Sequence, residues 1–189
     1  NLYNMKNMSK FNMQALAYHE GIPGHHMQIS IAQELQNIPK FRLYGGFTVF
    51  NEGWALYSEA IPEELGFYTD PFSNFGRLAG ELYRACRLVV DTGIHVKKWS
   101  REKAIDYMNA NVPHSKNYNV RQIERYVVMP SQATAYKIKK KKIQELRKLA
   151  ESKLDDKFDI RAFHDVVLKH GSVTMPILEE NVKKWIINQ

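Results

Sequence analysis

The run His19-Glu20-Gly21-Ile22-Pro23-Gly24-His25-His26 gathers imidazoles that can ligate a metal and a carboxylate that can act as a general base. In zinc hydrolases of the HExxH type the two histidines lie four apart on one helix face, and the intervening Glu is aimed at the metal's water. Here Glu20 follows His19 as that chemistry requires, but the next histidines come six and seven positions after it. On a straight helix at about 100° per residue those positions are turned by about 240° and about 340°. His25 would face away from His19, and His26 would share its face but stand roughly 10 Å further along the axis. Pro23 changes this expectation: it has no N–H to give the His19 carbonyl, and its ring pushes Ile22 out of the helical region. With Gly21 and Gly24 on either side, the helix is expected to break or to absorb the extra residues as a bulge, which returns His25 to His19. His25 is the expected second ligand and His26 the alternative.

A tetrahedral catalytic zinc site takes a third protein ligand and keeps its fourth position for water. Glu52 offers that ligand, at the start of the helical pattern Asn51-Glu52-Gly53-Trp54-Ala55-Leu56-Tyr57-Ser58-Glu59. Its plainer reading is a carboxylate that complements a helix N-terminus. The resulting expectation is one Zn2+ held by His19, His25 and Glu52. Glu59 recurs seven positions after Glu52 and so nearly on the same face, where it either orients a ligand imidazole or is a solvated helix carboxylate.

The elements that must position these groups read as helices almost throughout. One runs over 9–20 into the first motif and a second continues to Pro39. Residues 41–50 carry Gly45-Gly46 and the β-favouring Phe47-Thr48-Val49-Phe50, which predict a small hairpin or edge strand near 43–50, or else a plain connector. Asp70 before Pro71 caps a long helix reaching about Lys98, and Ser100 caps the next, to about Val112. Helices over 119–128, 131–153, 159–169 and 175–187 follow, with Asp159 as an N-cap and Gly171 as a C-cap.

The segments HEGIPGHHMQ, NEGWALYSE, RLAGELYRACRLVVDTGIHVKKWSREKAIDYM, ERYVVMPSQATAYKI and FDIRAFHDVVLKHGSV resemble the C-terminal half of the bacterial family known as domain of unknown function 885. The resemblance covers nearly the whole chain. It implies an all-α, zincin-like helical domain of the gluzincin kind, similar in layout to helical metallocarboxypeptidases and oligopeptidases. It also implies an exported, periplasmic or lipid-anchored protein, and a longer parent whose N-terminal region walls part of the cleft. Two departures stand out: Ser131, where the family has Gly in Pro-Gly-Gln-Ala, and Lys139, where it has Gly. Both read as loop or helix-packing positions.

The chemistry expected is hydrolysis of a peptide bond. Zinc would lower the pKa of its water toward about 7, and Glu20 would take that proton and pass it to the leaving amine. A donor is then needed for the oxyanion. Tyr126 and Tyr136, in segments resembling the family's RY and QAxxY motifs, and His95 are the candidates, each of which also reads as a packing residue. Arg125 either clamps a substrate C-terminal carboxylate or forms an internal salt bridge. His164 and His170 read as packing or capping. Two rival functions remain: a zinc-binding but catalytically silent interaction domain, which has no need of Glu20, and a zinc amidase acting on a non-peptide or cell-wall amide.

The 189 residues, 44% hydrophobic, suffice for one core and predict a single domain over 1–189. No apolar run spans a membrane and no signal-peptide pattern appears. The chain starts at Asn1 rather than Met, so it reads as an excised piece. Cys86, the single cysteine, sits among Leu82, Tyr83, Leu88 and Val89 and reads as a buried thiol. The net charge of +7 concentrates in Lys137 and Lys139 to Lys142. These are expected to form one solvated helix face, and without a recognition motif no specific nucleic-acid partner is expected.

Overall fold

The computed structural model describes residues 9–36 and 38–189. They form helices α1 (Met13–Glu20), α2 (His25–Glu34), α3 (Lys40–Tyr44), α4 (Thr48–Ser58), α5 (Ile61–Glu64) and α6 (Pro71–His95). Then come α7 (Arg101–Asn111), α8 (Lys116–Val128), α9 (Ala135–Leu154), α10 (Ile160–Leu168) and α11 (Met175–Ile187). The fold is mainly α-helical, with no strand among the described residues. None of the described helices is long and apolar enough to cross a membrane.

Helix starts follow their caps. The Asp70 carboxylate accepts from the backbone N–H of Phe72 and Ser73 at 3.2 and 3.1 Å. Ser100 Oγ accepts from Lys103 at 3.1 Å and Asp159 from Arg161 at 2.9 Å. Each such cap contributes about 1 kcal/mol. Ser115 does the same for α8, which therefore opens at Lys116, earlier than expected. Gly171 takes a φ of 65°, the left-handed turn expected beyond α10.

The hairpin expected near 43–50 is not formed: residues 41–44 lie in α3, and Thr48, Val49 and Phe50 open α4. The reason is helical spacing. Phe50, Trp54 and Tyr57 recur at four and three residues and all three are buried in one core. That packing overrides the strand preference of Phe, Thr and Val, which depends on a partner surface that is not present there. The second helix likewise stops at Glu34, short of Pro39.

Two apolar cores result. Phe50, Trp54 and Tyr57 of α4 join Ile143, Leu146 and Ala150 of α9, Phe163, Val166 and Val167 of α10, and Leu178 and Val182 of α11. Tyr83, Cys86 and Val90 of α6 join Ala104 and Met108 of α7 with Ile123 and Tyr126 of α8. Cys86 is the buried thiol expected, and burial pushes its pKa up. Leu56, Ala135 and Tyr136 form a small cluster between the two. The seam where α1, α4, α6 and α9 meet is where the chemistry-bearing residues converge.

The lysine run is not a solvated face. Four consecutive residues sweep about 300° around a helix, so they cannot share one side. Lys139 and Lys140 are 1% and 2% exposed. Lys137 and Lys140 both grip Glu81 of α6, at 2.6 and 2.7 Å, and Lys142 pairs with Glu179 of α11 at 2.6 Å. Lys139 differs: its Nζ is buried with no hydrogen-bond partner and rests on the Phe50 ring, and burial pushes its pKa well down. Its stem fills the place of a side chain at Gly53, where an added Cβ would stand 2.2 Å from Lys139 Cβ.

An unpaired buried amine is a cost to folding. Replacing it by an apolar chain of similar shape, Lys139→Met, should raise stability by about 1–3 kcal/mol at pH 7. The sign with pH follows from the lowered folded-state value. The unfolded lysine binds a proton that the folded one does not, so the parent gains stability as pH rises toward about 10.4, where unfolded lysine titrates. Denaturant midpoints at pH 7 and pH 10 check both points: the variant should start higher and lack this part of the rise. A variant less stable than the parent at pH 7 would show that the amine is accommodated.

Candidate metal centre

The first motif folds as a break rather than a bulge. Helix α1 ends at Glu20, Gly21 to Gly24 form an irregular turn containing a cis Ile22–Pro23 bond, and α2 begins at His25. The turn doubles back over the last residues of α1. A Cβ on Gly24 would lie 1.9 Å from the His19 carbonyl oxygen and 2.3 Å from that of Tyr18, so only glycine permits the approach. Trp54 Nε1 donates to the Pro23 carbonyl at 2.8 Å, and Gln28 Nε2 donates to Asn51 Oδ1 at 3.0 Å. Both bonds tie this turn and α2 to α4, the helix that carries Glu52.

His19, His25 and Glu52 meet as a result. Their ligand atoms all lie within 4.8 Å of one another. Glu52 Oε2 stands 3.7 Å from His19 Nε2 and 3.4 Å from His25 Nε2, and the two rings meet edge to face with centroids 4.9 Å apart. A tetrahedron with bonds of about 2.0–2.1 Å has edges of about 3.3–3.4 Å, so the His25–Glu52 separation matches such an edge and the His19–Glu52 separation is slightly longer. His26, the alternative, is exposed and outside the cluster.

Glu59 is buried behind His19 and accepts from its Nδ1 at 2.7 Å. That bond fixes the tautomer, leaving the Nε2 lone pair directed at the cluster. Arg84 Nη2 lies 3.6 Å from the same Glu59 oxygen. Burial opposes the charge of Glu52, but the imidazoles of His19 and His25 beside it outweigh that and hold the carboxyl at about 2. Burial likewise opposes protonation of His19, yet its bonds to Glu52 and Glu59 leave its pKa raised. The cluster thus calls for positive charge, which a divalent cation supplies as a proton does.

The ligands open onto a cleft of about 490 Å³. Glu20 and Arg125 are exposed on its wall, and Tyr136, itself buried, lines it. Tyr136 stacks on His19 with centroids 6.4 Å apart, receives Gln132 Nε2 on its hydroxyl at 3.3 Å and helps to lower the pKa of Glu52. Arg125 has no ion pair among the described residues; neighbouring Glu124 is taken by Arg101 at 2.6 Å. Two candidates are not brought to the cleft. Tyr126 is buried behind it, its hydroxyl 2.9 Å from that of Tyr83. His95 Nε2 is 2.9 Å from the Tyr126 backbone carbonyl and serves to join α6 to α8. His164 packs between Trp54 and Tyr57, with Tyr57 Oη 2.9 Å from its Nε2.

Sequence reasoning missed the opposite wall, made by Gly80, Tyr83, Arg84 and Arg87 of α6 together with His114, Tyr118 and Gln122. A signal existed: residues 80, 83, 84 and 87 repeat at three and four, putting two arginines on the inward face of an amphipathic helix. His114 packs against the rings of Tyr83 and Tyr118, at 4.8 and 4.9 Å, and these two rings also touch each other at 6.0 Å. Burial, reinforced by Arg84, lowers its pKa, so it presents a neutral imidazole.

Comparison with known proteins follows this geometry. The chain aligns at TM-score 0.97, with 47% identity over 100% of its length, to the crystal structure of a "putative lipoprotein" from Colwellia psychrerythraea. It aligns at TM-score 0.85, with 26% identity over 93% of its length, to a "putative lipoprotein of unknown function" from Shewanella oneidensis. In each case it spans 32% of the other chain. No curated protein matches. Residues 1–182 match the family model described as bacterial protein of unknown function, DUF885, and the chain belongs to that family.

Proposed function

We propose that this chain carries the zinc-binding catalytic centre of a hydrolase that cleaves peptide bonds. The observation that carries the reading is the convergence of His19, His25 and Glu52 within 4.8 Å, with Glu59 behind one imidazole and Glu20 on the same cleft. A zinc ion in that set supplies Lewis acidity, lowering the pKa of its water toward about 7 and polarising a carbonyl.

The chain's own residues do the rest. Glu20 accepts a proton as the water oxygen adds to the carbonyl carbon, and delivers it to the amine nitrogen as the C–N bond breaks. Tyr136, stacked on His19, offers its phenol to the developing oxyanion. Neutral His114 on the facing wall is a second donor. The lipoprotein descriptions of the two relatives support an exported, membrane-anchored protein. The longer polypeptides of those relatives support a further region completing the cleft.

Metal content decides the ligand set. The protein should bind one zinc, and His19→Ala, His25→Ala and Glu52→Ala should each lose it while His26→Ala retains it. Glu59→Gln should keep the stoichiometry but bind about 10- to 100-fold more weakly in a chelator competition. Metal retained by His25→Ala and lost by His26→Ala would reverse the assignment.

Glu20→Gln separates catalysis from binding. It should hold zinc as the parent does and lose turnover of a peptide library by about 10²–10⁴-fold or more. Full activity in that variant removes Glu20 from the reaction. Zinc binding without cleavage of any peptide favours the silent-domain or amidase readings.

A further inference from the structure

An arginine inside a protein is normally neutralised by a carboxylate, because an uncompensated charge in a low-dielectric interior is strongly disfavoured. The two arginines that α6 presents to the cleft differ in this respect. Arg84 shares Glu59 with His19. Arg87 is 5% exposed and lines the cleft, yet no carboxylate among the described residues lies within ion-pair distance of it. Its side-chain acceptor is neutral, the Gln132 amide oxygen, which takes Nη2 at 3.0 Å. Its Nε is buried with no acceptor at all. The rings of Tyr83, Tyr126 and Tyr136 surround the guanidinium at 5.5, 5.3 and 4.2 Å, which attracts the cation but leaves its charge in place.

We propose that Arg87 receives the C-terminal carboxylate of the peptide substrate, so that the site removes residues from a free C-terminus. The proposal rests on the zinc-hydrolase reading above. Its support is position as well as charge. Tyr136 touches both partners, its ring centroid 6.4 Å from that of His19 and 4.2 Å from Arg87 Cζ. Arg87 is therefore no further from the metal ligands than those two contacts laid end to end. An extended peptide advances about 3.3–3.6 Å per residue, so about three residues or fewer beyond the scissile carbonyl bridge that interval. The planar fork of an arginine matches a carboxylate in two parallel hydrogen bonds, and the surrounding tyrosines hold the fork in one orientation. Arg125, exposed on the same cleft, adds attraction at the entrance.

Matched peptides ending in a free acid or in an amide test this on the zinc-loaded protein. The acid should be cleaved with kcat/KM about 10- to 100-fold above the amide, the ratio expected for one charge-assisted hydrogen-bonded contact. Arg87→Gln should bring that ratio near one with zinc still bound, and Arg87→Lys, which keeps charge without the fork, should retain part of it. Arg125→Gln should keep most of it. A binding arm uses calorimetry on Glu20→Gln with N-acetyl-trialanine as acid and as amide, where the acid should bind more tightly through Arg87. Equal cleavage or equal binding of acid and amide by the parent overturns the assignment of Arg87 and leaves the hydrolase intact. So does a preference that survives Arg87→Gln and disappears in Arg125→Gln. Arg87-dependent binding of the acid in a protein that cleaves neither peptide upholds the carboxylate site and sinks the hydrolase reading.

Discussion

The passage of Gly24 over the carbonyl oxygens of Tyr18 and His19 is the contact on which the candidate centre depends. Without it the chain leaving α1 would carry His25 away from His19, since six residues of helix put the two on different faces. The approach is held from outside by Trp54, whose indole N–H satisfies the Pro23 carbonyl while its rings fill the α4–α9–α10–α11 core. Trp54 lies two positions beyond Glu52 on α4. The core, the turn and Glu52 are thus fixed to one another through one buried side chain.

Charge is arranged around the same seam. Glu59 is shared by His19 and Arg84, and Glu81 by Lys137 and Lys140, so α6 is joined by ion pairs to α1 and to α9 around the cleft. Buried pairs of this kind add little net stability but strongly disfavour arrangements in which one partner is left alone. They therefore act as register marks between helices whose apolar faces alone would tolerate sliding. The net charge of +7 is spent in part on these internal contacts, so it does not translate into a basic helix face along α9.

What the sequence made legible was local. Asp70, Ser100 and Asp159 marked helix starts because a cap acts on the next three residues, and Pro23 marked a break because its effect reaches only one turn. The pairing of His19, Glu20 and His25 could be read since chemistry and spacing occur within one motif, and Glu52 because its carboxylate recurs with Glu59 on one face of α4. What could not be read was rotation between distant helices. Tyr126 and His95 have the right chemistry but face α6 and α8 instead of the cleft, while Arg84 and Arg87, which their spacing sets on one face of α6, meet the cleft only through the way that helix packs on α1. Lys139 escaped for a related reason: its burial is decided by a missing side chain at Gly53, far away in the chain.

That last pairing links two positions in substitution history. Gly53 and Lys139 occupy one slot between α4 and α9, which admits a side chain from either helix but not from both. A chain with glycine at position 139 has room for alanine at position 53, whereas with lysine there the same alanine would force the helices apart. Volume can be exchanged across the pair but not added to it. Because Glu52 is the immediate neighbour of Gly53, a change at this pair would also move a member of the His19–His25–Glu52 cluster, so the permitted order of changes answers to the candidate site as well as to stability.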